Sequence, residues 1–438
     1  MSGHDNERGQ LGFWMSTALV VGNTIGMGIF VLPASLAPYG FNALIGWAVT
    51  GIGCVVLAWV FARLAQLMPE ADGPYGYIRR TLGQTPGFLA IWGYWVSFWI
   101  SNAALAIGVV GYLRALLPPL ASAPPALLAI ALVWSFVVIN LFGVRAGGRV
   151  QVLTTTLKLM PMAAVMGLGL WLLFTEPAAY ASNLPTTPIS PSGIMTASTL
   201  ALYAMLGLES ATVPASRVRD PGRTIPRATI AGTVLTAVIT MAVSTVPMLL
   251  IPQRELAQSQ APFVALFERY VSHGNGRWLA VFVGISGLGA LNGWTLLAGE
   301  LTRTMAANGL MPARFARVNR RGAPALALVV VGLLASAVSL MNYSKSLVAG
   351  FTLLTTLVTA VNLPLYLLCS LALIALWRSV RPMPRDLPWF GVLGAGYAAF
   401  SFVGVGHEPL LWVLALAAAG LPLYALMRLR GSGAAPNK

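Results

Sequence analysis

Residues 22–30 read GNTIGMGIF, and the chain continues through VLPASLAPYG at 31–40. Three glycines within seven positions, with Pro33 behind them, interrupt an apolar run from about residue 11 to residue 36. A continuous helix facing lipid needs no such density of breakers, since each glycine costs about 1 kcal/mol relative to alanine in a helix interior. The pattern predicts a helix that unwinds halfway. Unwound backbone at membrane depth is tolerated only beside a cavity, where its free N–H groups and the dipole of the next helical segment can hold a carboxylate. Close helix packing through small residues is the competing explanation, and three glycines exceed one packing stripe.

The surrounding composition makes that membrane setting the expected one. The 438-residue chain is 57% hydrophobic and only 9% charged, against about 25% charged in a soluble domain. The 27 basic and 12 acidic residues leave a net charge of +15, which could suggest nucleic acid. The bases, however, lie in short segments between apolar runs, a pattern of membrane orientation and not of a phosphate-binding face. No nucleic-acid partner is expected. Cys54 and Cys369 sit inside apolar runs as small packing residues, and His4, His273 and His407 lie at the amino terminus or in loops. No cluster with metal-ligand spacing is apparent, so neither a metal nor another cofactor is expected. The polar start, MSGHDNERGQ, lacks the features of a signal peptide, and the first span is expected to direct insertion.

About 20 apolar residues cross the hydrocarbon layer as a helix. Twelve runs qualify, at about 11–36, 41–66, 88–117, 125–143, 151–173, 193–217, 227–250, 276–305, 324–341, 346–374, 387–405 and 409–428. With the amino terminus in the cytoplasm, 20 of the 27 bases fall in the tails and inner junctions. Arg114, Arg254, Arg269, Arg277 and Lys345 fall on the outer side, and Arg63 and Lys158 lie within spans. This bias predicts an inner-membrane protein with both termini cytoplasmic, and a span more or fewer would scramble it.

The sixth run, LYAMLGLESATVPAS at 202–216, repeats the theme of the first. Gly207 stands in its middle, Pro214 follows, and VPAS echoes LPAS at 32–35. Interruptions at the first span of each five-span half are the mark of an inverted-repeat transporter. The expected fold is an all-α membrane protein of twelve transmembrane helices in one domain, 1–438. Its parts are a five-helix repeat at 1–173, a second at 193–374, and two further helices at 387–428.

An intramembrane charge costs about 2.5–3.5 kcal/mol on insertion scales, so each such residue is a functional candidate. Glu209 lies two residues past Gly207. It reads either as a structural acid that accepts from freed backbone N–H groups, or as a proton-sensitive, cation-attracting group on the inward path. Lys158 reads either as a tether, donating to unwound carbonyls of the first span and to hydroxyls such as Ser286, or as a proton carrier that takes the place of a sodium ion. Glu300 lies nearer a helix end and reads as a solvated or paired acid, and Arg63 can snorkel. Tyr94, Trp99, Tyr203 and Trp294 fall at mid-depth and not in the interfacial belts. Ring faces there can hold a cationic substrate without a fixed counter-charge that would delay its release. Asn102 adds a neutral hydrogen-bonding group.

In order along the chain come GNTIGMGIF with LPASLAPYG, GPYGYIRR, YWVSFWISNAALAIGVVGYL, LGLESA, DPGRTIPRATI, NGWTLLAGE and GLMPARFARVN. From about residue 11 to 428 the chain resembles the basic amino-acid and polyamine antiporters of the amino acid, polyamine and organocation superfamily, the arginine/agmatine members above all. The resemblance implies a leucine-transporter-like 5+5 inverted repeat with broken first and sixth helices. It also implies a substrate bound between those breaks. Gly22, Asn23, Thr24, Gly26, Met27 and Gly28 then surround the carboxylate, and Trp294 packs along the substrate side chain. Tyr203 gates, with Met205 and Gly207 beside it. Tyr94, Ser97, Asn102 and Leu105 form the pocket face of the third helix, and Glu209 and Tyr75 match positions linked to gating and pH response.

The chain also departs from the arginine/agmatine pattern, which has Trp at Tyr203, Ser at Met27 and Met at Leu105. These departures leave arginine itself open as the substrate. Lys158 instead matches proton-coupled permeases and relatives of the heteromeric exchangers. In the tenth span FTLLTTLV leaves Thr355, Thr356 or Leu357 as the counterpart of the family's pocket hydroxyl. The leading expectation is exchange of a cationic amino acid for its decarboxylated amine or another amino acid. The alternative is proton-coupled uptake of a broader, partly neutral set through Lys158. An intramembrane enzyme would need a paired acid and base or a metal cluster, and no such pattern is recognisable. The resemblance permits a homodimer through the last two helices.

Overall fold

The computed structural model describes residues 12–71, 73–142, 157–209, 218, 220–271, 276–341, 343–379 and 387–432. In chain order its α-helices are α1 (Phe13–Thr24), α2 (Gly28–Leu36), α3 (Phe41–Leu67), α4 (Gly73–Leu82), α5 (Gln84–Leu116) and α6 (Pro125–Leu141). There follow α7 (Leu159–Thr175), α8 (Pro177–Ser182), α9 (Pro191–Leu202), α10 (Pro221–Leu250), α11 (Gln253–Gln258) and α12 (Pro262–Tyr270). The last are α13 (Gly276–Ala307), α14 (Ala325–Met341), α15 (Leu347–Ser379), α16 (Leu387–Val405) and α17 (His407–Ser432). Seven of these, α3, α5, α10, α13, α15, α16 and α17, are long and apolar enough to cross a membrane. Shorter apolar helices include α1, α2, α6, α7 and α14.

The first apolar run forms two helices, as its glycines predict. Helix α1 stops at Thr24, Ile25 takes extended backbone angles (φ −74°, ψ 95°), and α2 starts at Gly28. In the sixth run α9 gives way to a 3-10 turn at Tyr203–Met205, after which Leu206 is extended. Gly207 then has φ +99°, a left-handed value that glycine alone adopts without strain. The VPAS segment lies outside the described residues, as do 143–156, where the fifth run was expected to begin. Helix α10 starts at Pro221, six residues ahead of the expected 227, because proline at the first helical position has its φ already set. Helix α4 is not one of the expected spans. It is short, with Tyr75, Tyr77 and Ile78 buried and Arg79 and Arg80 exposed.

Helix α5 is the axis of the bundle. It packs along α15 and α13, while α3 packs on α10 and α9, and α1 lies against α10. Glycines permit the closest approaches: a Cβ on Gly93 of α5 would lie 2.6 Å from the Val361 carbonyl oxygen of α15. Lipid and protein interior are equally apolar, so packing and interhelical hydrogen bonds have to hold such a bundle together. Thr50 donates to the Ser198 carbonyl at 2.8 Å, Trp47 Nε1 to Ser244 Oγ at 3.1 Å, and Trp95 Nε1 to Thr302 Oγ1 at 2.7 Å. Helix α17 is peripheral, with Leu411, Leu414 and Leu421 exposed.

Candidate functional site

The break between α1 and α2 meets the turn after α9, and a small cavity opens where they meet. Thr24, Gly26 and Gly28 line it from the first break, Tyr203, Ala204 and Leu206 from the second, Ser101 and Leu105 from α5, and Trp294 from α13. The first N–H groups of a helix have no intrahelical partner and carry the positive end of its dipole. Gly28 starts α2 on this wall, so the wall has anion-binding character without a charged side chain. Gly28 also leaves room for the Tyr203 ring, since a Cβ there would lie 2.9 Å from both Cδ1 and Cε1. Trp294 packs on Phe98 with ring centroids 4.8 Å apart, and Tyr203 meets Phe351 edge-on at 6.0 Å.

Lys158 serves the other end of the break. Its side chain is buried, and Nζ donates to the carbonyl oxygens of Gly22 and, at 3.0 Å, of Ile25. These carbonyls end α1, where a helix presents partial negative charge. The two ends of the interrupted helix therefore have different partners: an ammonium caps the carbonyl end, and the amide end faces the cavity.

Glu209, two residues after Gly207, is buried, and its carboxylate accepts from the Tyr366 hydroxyl at 3.4 Å. The acid thereby ties the second break to α15. Glu300 pairs with Arg303 at 2.8 Å near the end of α13, and Arg63 of α3 lies over the Trp59 ring at 5.1 Å.

Of the expected site residues, Thr24, Gly26, Gly28, Leu105, Tyr203 and Trp294 share the cavity wall. Gly22 is instead an acceptor for Lys158. Met27 is wholly buried on another side of the break, where Gly108 and Gly287 make room for it: their Cβ positions would fall 2.8 Å from its Cγ and 2.7 Å from its Sδ. Ser97 donates to the Tyr94 carbonyl at 2.7 Å, Asn102 accepts from Thr295 at 3.5 Å, and Met205 accepts from Thr240 at 3.7 Å. Gly207 acts through its backbone, Tyr75 lies on α4, and Ser286 is buried on α13. The side chain of Asn23 lies outside the described residues. Thr355, Thr356 and Leu357 are not among the cavity's lining residues; Thr356 instead lines a separate recess between α2, α9 and α15.

Ser101 was not anticipated, although it completes the i, i+4 series 97, 101, 105 on one helix face. Its buried Oγ has no hydrogen-bond partner among the described residues, which makes it available to a ligand. Tyr366 had no sequence signal, being a single tyrosine in the long apolar α15. Among the described residues, no group of three or more His, Cys, Asp or Glu is placed to hold a metal.

A helical, multi-pass membrane protein whose broken helices enclose a central cavity is built as a transporter. The chain belongs to the amino acid permease family, whose model matches residues 11–426. It is 30% identical over 422 residues to the putrescine transporter PotE of Escherichia coli strain K12, covering 95% of this chain and 96% of that protein. It is 31% identical over 389 residues to a putative arginine/ornithine antiporter of Bacillus subtilis strain 168, covering 82% and 83%. It is also 33% identical over 344 residues to the cadaverine/lysine antiporter of Escherichia coli strain K12, covering 76% of each chain. The family and these relatives are transporters and not enzymes.

Proposed function

We propose that this protein exchanges a cationic amino acid for its decarboxylated amine, or for another amino acid, by alternating access. The observation that carries this reading is the cavity wall. It combines the α2 amide end, two aromatic rings and the hydroxyls of Thr24 and Ser101, with no carboxylate, amine or guanidinium among the described lining side chains. The amide end suits a carboxylate, and the rings of Trp294 and Tyr203 suit a cationic side chain. An amine that has lost its carboxylate keeps the ring contacts and gives up the amide contacts, so both partners of an exchange fit one site. The relatives' names, which pair putrescine, ornithine, cadaverine and basic amino acids with transport, support the same substrate class.

In this reading Thr24, Gly26 and Gly28 form one face of the site and Tyr203, Ala204 and Leu206 the other, with Ser101 and Leu105 of α5 and Trp294 of α13 between them. Tyr203 gates it, and Glu209 and Tyr75 couple closure to the inner side. The architecture is twelve spans as two inverted five-helix repeats, 1–173 and 193–374, followed by 387–428. The protein lies in the bacterial inner membrane with both termini cytoplasmic. The exposed apolar flank of α17 faces either lipid or a second copy in a homodimer.

Counterflow in proteoliposomes tests the reading. Labelled putrescine, cadaverine, ornithine, lysine or arginine should enter only vesicles preloaded with one of these solutes. Equal uptake into empty vesicles under a proton gradient would overturn it. That outcome would instead favour proton-coupled symport, the second reading, which is supported by Lys158 capping the α1 carbonyls. Lys158→Ala would then abolish gradient-driven uptake and leave counterflow intact.

A further inference from the structure

The segment between α13 and α14 carries Arg314, Arg317, Arg320 and Arg321, and no acid stands in the chain between Glu300 and Asp386. Glu300 is itself taken up by Arg303 at 2.8 Å. The segment has a fixed shape. Met311 and Ala323 are buried at its two ends, and Ala313–Ala316 forms a 3-10 turn. Asn319 organises the remainder. Its Oδ1 accepts from the Arg321 N–H at 2.9 Å and the Ala323 N–H at 3.0 Å, and its Nδ2 donates to the Leu141 carbonyl at 2.9 Å. The last carbonyls of a helix have no intrahelical donor, so this amide fastens the segment to the end of α6.

All four arginines are exposed. Arg321 lies over the Phe142 ring, 4.5 Å from its centroid, and Arg314 lies over the Phe315 ring at 5.7 Å. Arg317 and Arg320 make no side-chain hydrogen bond, ion pair or ring contact among the described residues. Beside these cations stand two exposed apolar side chains, Phe142 at 57% and Val318 at 51%. The helices that the segment joins and rests on, α13, α14 and α6, are all apolar, so it lies where apolar helices end. Unpaired guanidinium groups interleaved with exposed apolar side chains match the boundary of an anionic bilayer. The guanidinium groups can meet phosphate oxygens through charge-assisted hydrogen bonds, while the apolar side chains enter the edge of the acyl layer. A soluble acidic partner would answer the charges and leave Phe142 and Val318 without a role.

We propose that residues 314–321, together with Phe142, form a docking surface for the anionic phospholipids of the membrane that the protein spans. The proposal depends neither on the transported solute nor on which leaflet the segment meets. Each basic side chain close to an anionic leaflet strengthens binding about fivefold, and salt screens the attraction.

The test places an environment-sensitive fluorophore on Val318→Cys in the full-length protein. Cys54 and Cys369 are buried, which directs the label to position 318. In neutral detergent the labelled protein is titrated separately with short-chain phosphatidylglycerol, short-chain phosphatidylcholine, poly-glutamate and a single-stranded oligonucleotide. A saturable blue shift with phosphatidylglycerol is expected, about tenfold tighter or more than with phosphatidylcholine and weakened by added salt. In Arg314→Gln/Arg317→Gln/Arg320→Gln/Arg321→Gln the apparent dissociation constant should rise about tenfold or more. Arg79→Gln/Arg80→Gln/Arg223→Gln/Arg227→Gln removes the same charge from other exposed positions and should leave binding at the label within about twofold. Equal responses to the two lipids overturn the proposal, as does undiminished binding in the segment variant or an equal loss in the charge-matched one. Tighter binding of poly-glutamate or the oligonucleotide than of phosphatidylglycerol also overturns it. If the fourfold variant does not fold, Arg317→Gln/Arg320→Gln removes two side chains that hold nothing in place. That variant should still weaken binding about fivefold or more, and an unchanged dissociation constant overturns the proposal.

Discussion

Gly28→Ala tests whether the two breaks close on one another. The added Cβ would stand 2.9 Å from two carbons of the Tyr203 ring, whereas carbon atoms pack best at about 3.5–4.0 Å. The ring must therefore withdraw by about 0.6–1 Å from the cavity wall. Inserting a methyl into such packing costs about 1–3 kcal/mol, which lowers the population of the ring-in conformation roughly 5- to 150-fold. If that conformation is the one that holds substrate, labelled putrescine or ornithine exchange in proteoliposomes should fall by about the same factor. The cost should largely vanish in a Tyr203→Ala background, where no ring remains to be displaced, so a double-mutant cycle isolates the contact. Exchange within twofold of the unmodified protein would refute the reasoning. So would an equal loss from Gly28→Ala whether or not the ring is present.

Three further substitutions probe the parts around the cavity. Lys158→Met removes the cap on α1 and leaves two carbonyls short of a donor; a cost of about 1–3 kcal/mol for each should appear as a lower unfolding midpoint, and an unchanged midpoint would rule out the tether. Tyr366→Phe deletes one donor to Glu209 and should destabilise the protein by about 1.5 kcal/mol. The same loss in a Glu209→Met/Tyr366→Phe comparison with Glu209→Met, where residue 209 has no oxygen to accept, would show that the acid is not the tyrosine's partner. Gly53→Ala would place a Cβ 2.4–2.5 Å from three atoms of the Tyr397 ring, so α3 and α16 should be forced apart at a cost of about 1–3 kcal/mol. Chemical unfolding in detergent checks this, and Gly53→Ala/Tyr397→Leu should recover most of the loss.

The break in the first span was legible because its cause is local. Gly22, Gly26 and Gly28 weaken the helix wherever they stand, and Gly207 marks the only residue type that takes φ +99° without strain. Apolar run lengths likewise marked the long helices, several to within a residue or two. Trp294, Tyr203 and Leu105 could be placed near the site through resemblance, and Ser101 through the helical spacing it shares with Ser97 and Leu105.

Helix facing was much less legible. In a soluble protein the polar side of a helix identifies its outer face, but in lipid the outer and inner faces are equally apolar and the pattern carries little direction. Met27 could thus be expected in the pocket by its position, yet the space left by Gly108 and Gly287 turns it elsewhere. The amino-acid sequence alone determined a lipid-embedded helical chain with two weakened segments and a few buried charges between them. Tertiary packing alone decided that Tyr366 finds Glu209 across 157 positions and that Arg79 and Arg428 line one hollow. Those pairings depend on how each helix is rotated and crossed by its neighbours, which follows from the fit of many side chains at once and not from any one stretch of residues.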